Sequence, residues 1–220
     1  MTILVEAAVD SLDDALAAVE GGADRLELCA NLSVGGTTPD HALIATVLRR
    51  VAVPVFAMIR PRGGSFVYAD SEIDRMRRDV EMSLDLGVAG VVLGVLDPAN
   101  RIDVGRTQSL IAVAAGGRRV TFHRAFDRTP DLLAGVDTLI SLGVARVLTS
   151  GGAPTASEGA DVLAALVERA GDRLGILAGG GVRANNVRDI IERSGVREVH
   201  ARCERDANRI RAIKDAILSS

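Results

Sequence analysis

His123 closes an apolar run that begins at Val120, and two further charges follow at once in Thr121-Phe122-His123-Arg124-Ala125-Phe126-Asp127. An imidazole titrates near neutrality, so it can pass a proton or hold a metal ion. The same pattern, an ionisable or hydroxyl side chain at or near the end of a short apolar run, recurs at Glu6, Glu27, Arg60, Thr149 and His200. Such groups in an apolar core have to be paired, hydrated or ligand-bound, because an isolated buried ion costs several kcal/mol. Glu27, His123 and His200 are therefore the candidate proton-transferring residues. The competing explanation for each alone is a structural ion pair, Glu27 with Arg60 being the plainest.

Anion recognition has its own candidates. Arg60-Pro61-Arg62-Gly63-Gly64 sets two planar guanidinium forks beside flexible backbone, a pairing suited to carboxylate or phosphate. Thr149 and Ser150 lead into Gly151-Gly152, and Gly180 and Gly181 lie in the longer turn Gly179-Gly180-Gly181-Val182-Arg183-Ala184-Asn185-Asn186. Backbone N–H groups in such turns cradle anions, although glycine also serves turns for conformational reasons alone. A divalent ion would suit Glu6, Glu27, His123 and His200; copper(I), which prefers sulfur, would look to Cys29, with Cys203 as the only other thiol and no CxxC or Met-rich motif. Lys214, near the C-terminus, is the only lysine, which argues against Schiff-base chemistry.

The elements that must position these residues follow from periodicity. Short apolar runs span Ile3 to Ala8, Arg25 to Leu28, Val55 to Ile59, Gly90 to Leu93, Val120 to His123, Arg146 to Thr149, Gly175 to Ala178 and Glu198 to Ala201, each of strand length. Between them lie helical spacings such as Ile73, Met76, Val80 and Leu84. Gly22-Ala23, Gly87-Val88, Gly143-Val144 and Gly195-Val196 each end a helix before a strand, at intervals of roughly fifty to sixty-five residues. Four βαβα units of that size predict a compact (β/α)8 TIM barrel in a single domain over residues 1–220. An open doubly wound sheet would favour a glycine fingerprint after its first strand, and Ala8-Val9-Asp10-Ser11 offers none. Thr38 and Pro39 read as the cap and first turn of the second helix, with His41 on the surface.

Composition narrows the partners. With 48% hydrophobic and 25% charged residues, a net charge of -3 and a pI near 5.7, the chain reads as an ordinary globular protein with no field for nucleic acid or an anionic membrane. The start, Met1-Thr2-Ile3-Leu4-Val5-Glu6, is unlike a signal peptide, and no apolar run is long enough to span a bilayer. Two cysteines give no disulfide framework, so a cytoplasmic location is expected.

Arg25-Leu26-Glu27-Leu28-Cys29-Ala30, Gly35-Gly36-Thr37-Thr38-Pro39, Ile59-Arg60-Pro61-Arg62-Gly63-Gly64, the His123 segment, Val147-Leu148-Thr149-Ser150-Gly151 and Glu198-Val199-His200 together resemble the CutC family, in order and over nearly the whole length. The resemblance implies a cytoplasmic TIM barrel, homo-oligomeric, historically named for copper homeostasis and without an established activity. Two readings stay open: an acid–base or metal-assisted site for a small anionic metabolite, and a copper(I)-binding or trafficking protein using Cys29. The chain departs from the family pattern at Ser65 and in the bulky, charged Ala201-Arg202-Cys203-Glu204-Arg205 after His200, so a phosphate site on the eighth loop is not implied.

Overall fold

Residues 2–114 and 119–219 are described by a computed structural model. Eight parallel strands close on themselves in sequence order: β1 (Leu4–Val9), β2 (Arg25–Leu28), β3 (Val55–Met58), β4 (Gly90–Leu93), β5 (Arg119–Phe122), β6 (Arg146–Thr149), β7 (Gly175–Gly179) and β8 (Glu198–Arg202). The helices between and after them are α1 (Leu12–Glu20), α2 (His41–Leu48), α3 (Asp70–Leu86), α4 (Val104–Val113), α5 (Leu132–Ser141), α6 (Ala160–Ala170), α7 (Val187–Ser194) and α8 (Ala207–Leu218). The (β/α)8 barrel expected from the glycine repeat is therefore present, with strand bounds within a residue of the apolar runs.

Strand alternation divides the core in two. Val5, Ala7, Leu26, Leu28, Ala57, Val91, Val147 and Val199 belong to the large apolar layer between sheet and helices. Burying each valine or leucine of this layer is worth about 1.5–3 kcal/mol. The intervening residues face the axis, where Cys29, Phe56, Met58 and Val92 form a small separate cluster among charged side chains. On α3, Ile73, Met76 and Val80 are buried at the helical spacing read from sequence.

The helix stops work as expected: Gly22, Gly87, Gly143 and Gly195 have φ of +89°, +100°, +69° and +70°, the left-handed region that a Cβ disfavours. One cap differs from expectation. Asp40, not Thr38, caps α2 by accepting from Leu43 N–H, while the Thr38 hydroxyl accepts from Arg60 N–H and fixes the loop after β3. His41 is exposed, as expected. Lys214 pairs with Asp24, which precedes β2 and so lies at the end of the barrel opposite the mouth.

Candidate active site

The lower barrel is a closed ionic plug. Arg25 bonds both Glu6 and Glu198, Arg146 bonds Glu198 at 2.5 Å and Thr121 Oγ1 at 3.2 Å, and the two guanidinium carbons lie 5.4 and 5.5 Å from the Phe56 ring centre. Sequence reading named only Glu6 of this layer, as a strand-end group, whereas Glu6 lies within β1 and pairs with Arg25; the other members were missed because that reading followed strand ends. The signal was available, since β2, β6 and β8 each begin with a charged residue.

Above the plug, His200 joins it to the mouth. Its Nδ1 sits 2.8 Å from Glu6 Oε1 and its Nε2 3.8 Å from Glu27 Oε2. Burial alone would raise the Glu6 carboxyl, but the His200 hydrogen bond and the Arg25 charge outweigh it and hold its pKa down at about 2. Burial pushes Glu27 upward, so its carboxyl keeps a proton to higher pH than an exposed glutamate. For His200, burial pulls down but the charges of Glu27 and Glu6 prevail, and its pKa is raised. The Cys29 thiol donates to Glu27 Oε2 at 3.5 Å, and burial beside that carboxylate lifts its pKa well above the usual range. Glu27 Oε1 has no hydrogen-bond partner.

His123 lies across the mouth. Its backbone starts a short helical turn, Arg124–Arg128, and its Nδ1 accepts from Ala125 N–H at 3.2 Å, which puts the ring proton on Nε2. Gly94 makes room for the ring, since a Cβ there would stand 2.5 Å from His123 Nδ1, and Phe66 covers it at 5.0 Å. Burial, with Arg60 nearby, drives its pKa down to about 3. The imidazole is thus neutral at physiological pH, and Nε2 is buried without a partner.

A cavity of about 600 Å³ opens here, lined by Glu27, His123 and His200 together with Arg60, Gly180 and Gly181. Arg124, Arg128, Arg183 and Arg202 also line it, and sequence reading had not counted them as site residues. Other expected residues stand elsewhere. Arg62 turns away to Glu72, Ser65 O and Val67 O, stacked on Tyr68. Thr149 is on the outward side of β6 and donates to Asp127, while Ser150 binds the same carboxylate through its N–H, so neither reaches the cavity. Arg60 faces the cavity, yet its Nη groups donate to the Val34, Gly36 and Gly64 carbonyls and make no ion pair with Glu27.

For a metal ion, ligand atoms of Glu6, Glu27 and His200 come within 4.8 Å of one another, and His123 is not among them. Both Glu6 oxygens already accept, from Arg25 and His200, so Glu27 and His200 Nε2 are the least engaged of these atoms. Glu6 and Cys29 do not line the cavity. The Arg25 guanidinium on Glu6 is the charge that a cation at this cluster would have to oppose.

Comparison with known proteins gives a consistent result. A model described as CutC family matches residues 3–204. The family protein CutC of Xylella fastidiosa is 48% identical over 197 residues, 90% of this chain and 73% of that protein. The Homo sapiens protein named copper homeostasis protein cutC homolog is 45% identical over 206 residues, 93% and 75% of the two chains. The crystal structure of a putative copper homeostasis protein CutC from Streptococcus agalactiae superposes with a TM-score of 0.85 at 37% identity, covering 90% of this chain and 98% of that one. A Thermotoga maritima phosphoribosylanthranilate isomerase, at TM-score 0.65 and 14% identity over the full length of both chains, shares the fold alone. No described helix is long and apolar enough to cross a membrane.

Proposed function

The chain belongs to the CutC family, and on that premise we propose that the barrel mouth is an acid–base active site for a small anionic metabolite bearing a carbonyl oxygen. One observation carries this reading: Glu27 Oε1 and His123 Nε2, on residues that line the same cavity, are both buried and both unpaired. A buried polar atom without a partner costs about 1–3 kcal/mol, a cost that a ligand supplying an acceptor and a donor would remove.

Each residue has a role that its surroundings set. The neutral His123 Nε2–H donates to the ligand oxygen, where negative charge grows as a proton leaves the neighbouring carbon. Glu27 accepts that proton on its carboxylate and returns it, its affinity raised by burial toward the range useful at neutral pH. His200, fixed through Nδ1 by Glu6, lies 3.8 Å from Glu27 and supplies the charge that keeps Glu27 able to ionise. The arginines of the rim hold the anion. A cytoplasmic, homo-oligomeric protein accompanies this reading, as the family resemblance implies.

Copper(I) as cargo is the second reading. It is supported by the names of the relatives and by the approach of Cys29 and Met58 to one point, since a Cβ on Gly36 would lie 2.9 Å from Cys29 Sγ and 3.6 Å from Met58 Cε. Against it, the Cys29 sulfur is fully buried and holds its proton.

A panel of phosphorylated and carboxylated metabolites tests the first reading by thermal shift and by solvent deuterium uptake at carbon. The expected ligand stabilises the natural protein more than Glu27→Gln or His123→Gln, and its deuterium uptake falls at least about a hundredfold in Glu27→Gln. If no compound separates the protein from both variants, the acid–base reading is lost. Equal copper(I) affinity in the natural protein and Cys29→Ser would remove the second.

A further inference from the structure

We infer that the cavity rim between the fifth and seventh strands is a phosphate seat, formed by Arg124 and the backbone amides of Gly180, Gly181 and Val182, and that the metabolite is a phosphomonoester. This deepens the acid–base reading and rests on it for the word metabolite; the seat itself stands on separate observations.

Arg124 is locked in place before any ligand arrives. Its Nε donates to Asp127 Oδ2 at 2.8 Å and its Nη2 to Ser150 Oγ at 2.8 Å. Asp127 is itself held, Oδ1 accepting from Thr149 Oγ1 at 2.5 Å, Ser150 N at 3.1 Å and Gly152 N at 3.2 Å. The Arg124 guanidinium lies against the next glycine turn, because a Cβ on Gly180 would stand 3.3 Å from Nη1 and 3.4 Å from Cζ. Only Nη1 is left without a protein acceptor among the described residues. A preorganised fork with one edge free loses little side-chain freedom on binding an anion.

The glycine turn supplies the rest. Gly180 and Gly181 have φ of +107° and +74°, and they line the cavity with Val182. Among the described residues their three successive N–H groups donate to no protein acceptor, which leaves them free for an anion at the rim. Arg183 stands at the same rim, half-buried, with its proton affinity lowered by burial and by the charges of Arg209 and Arg202, a crowding that a dianion relieves.

The eighth-strand side lacks these means. Glu204 lines the cavity there as a carboxylate paired with Arg209, Arg202 is turned to Leu32 O, and Glu204 and Arg205 occupy positive φ without being glycine. The common barrel phosphate site between strands seven and eight is thereby displaced toward strand five. A planar carboxylate could satisfy either the arginine edge or the amides. A phosphoryl group has three oxygens and can use both.

Inorganic phosphate is the probe, titrated by calorimetry at constant ionic strength into the natural protein and into Arg124→Ala, Arg124→Lys, Arg62→Ala and His123→Gln. Arg124→Ala should weaken phosphate at least about tenfold, the loss expected for one charge-assisted contact. Arg124→Lys, which keeps the charge and loses the fork, should weaken it less and gives the test if the alanine variant does not fold. Arg62→Ala, outside the cavity, and His123→Gln should bind phosphate as the natural protein does, and acetate should bind the natural protein more weakly than phosphate. Equal phosphate affinity in the natural protein and a folded Arg124 variant overturns the seat, as does an Arg62→Ala loss of the same size. Because the His123 variant keeps the seat, phosphate binding without Glu27-dependent proton exchange would sink the acid–base reading alone; the reverse result would sink only the seat.

Discussion

The lower layer of the barrel and its mouth carry similar inventories of buried charge and differ in what those charges lack. Below, Glu6, Arg25, Arg146 and Glu198 contact one another, Thr121 and the Phe56 ring, and no buried polar atom of the group is unpartnered. At the mouth, Glu27, His123 and Arg60 each keep one buried polar atom without a partner, around a single cavity. The other unpartnered atoms, such as Thr107 Oγ1 on α4, belong to residues that do not line this cavity. Buried charge by itself therefore does not mark a site in this barrel. What sets the mouth apart is unsatisfied polar atoms gathered around space, and the lower layer serves as the internal control.

Breaking the lower layer should have the largest effect. Arg25→Ala leaves Glu6 and Glu198 facing each other without their common cation, and removing one partner of a buried pair costs about 3–5 kcal/mol. That is a large share of the roughly 5–15 kcal/mol available to a folded domain. Glu6→Gln should shift the denaturant midpoint in the same direction by a smaller amount, since it strands the Arg25 charge and loosens His200. A midpoint unchanged in Arg25→Ala would mean that water, not protein, satisfies this layer, and the contrast with the mouth would fail.

The mouth should respond to acid through His123. In the folded protein the imidazole stays neutral down to about pH 3, whereas in the unfolded chain it takes a proton near 6.5. The unfolded state therefore binds more protons as pH falls through this window, and stability drops by up to about 1.4 kcal/mol per pH unit. Between pH 7 and pH 5 the natural protein should lose about 2 kcal/mol relative to His123→Gln, measured by urea unfolding at each pH. Taking the difference cancels the opposite trends of Glu27 and His200, whose raised pKa values favour the folded state as pH falls. The Glu6 contribution is lost only on the way from its ordinary value of 4.5 to about 2, outside the window. Parallel curves would show that the His123 ring is hydrated and its pKa ordinary.

Much of this architecture was legible because eight short apolar runs and a repeated helix-ending glycine leave few alternatives. Side-chain direction was legible only while the chain remained a strand. Counting by twos from Thr121 puts His123 on the axis and Arg124 outside, free to pair with Asp127; that pair forms, but the strand ends at Phe122 and a helical turn also carries Arg124 round onto Gly180, a position parity does not give. Arg62 fails for the same reason, four residues beyond the last residue of β3, where Glu72 on α3 captures it. Thr149 is the opposite case. Its parity with Val147 already placed it on the helix side, and proximity to a strand end was the weaker guide.

Glu27→Gln should have the smallest effect on stability and sharpens the comparison most. Glu6 and Glu27 are both glutamates on the axis, 0% and 3% exposed, and both lie beside His200. They differ in hydrogen bonds: Glu6 accepts from Arg25 and His200, whereas Glu27 accepts only from the Cys29 thiol, has His200 at 3.8 Å and keeps one free oxygen. An amide at position 27 keeps the shape and the acceptor for Cys29, and it removes the cost of holding a carboxylate in the barrel. Glu27→Gln should therefore unfold at the natural midpoint or up to about 1 kcal/mol above it, as substitutions that relieve an active-site strain often do. The His200 pKa should fall at the same time, because the Glu27 charge helps to raise it, and the C2 proton of the imidazole reports that shift by NMR. A loss of stability as large as that of Glu6→Gln would make Glu27 a structural member of the same ionic network. With that result, the unpaired oxygen would no longer distinguish the mouth from the plug beneath it.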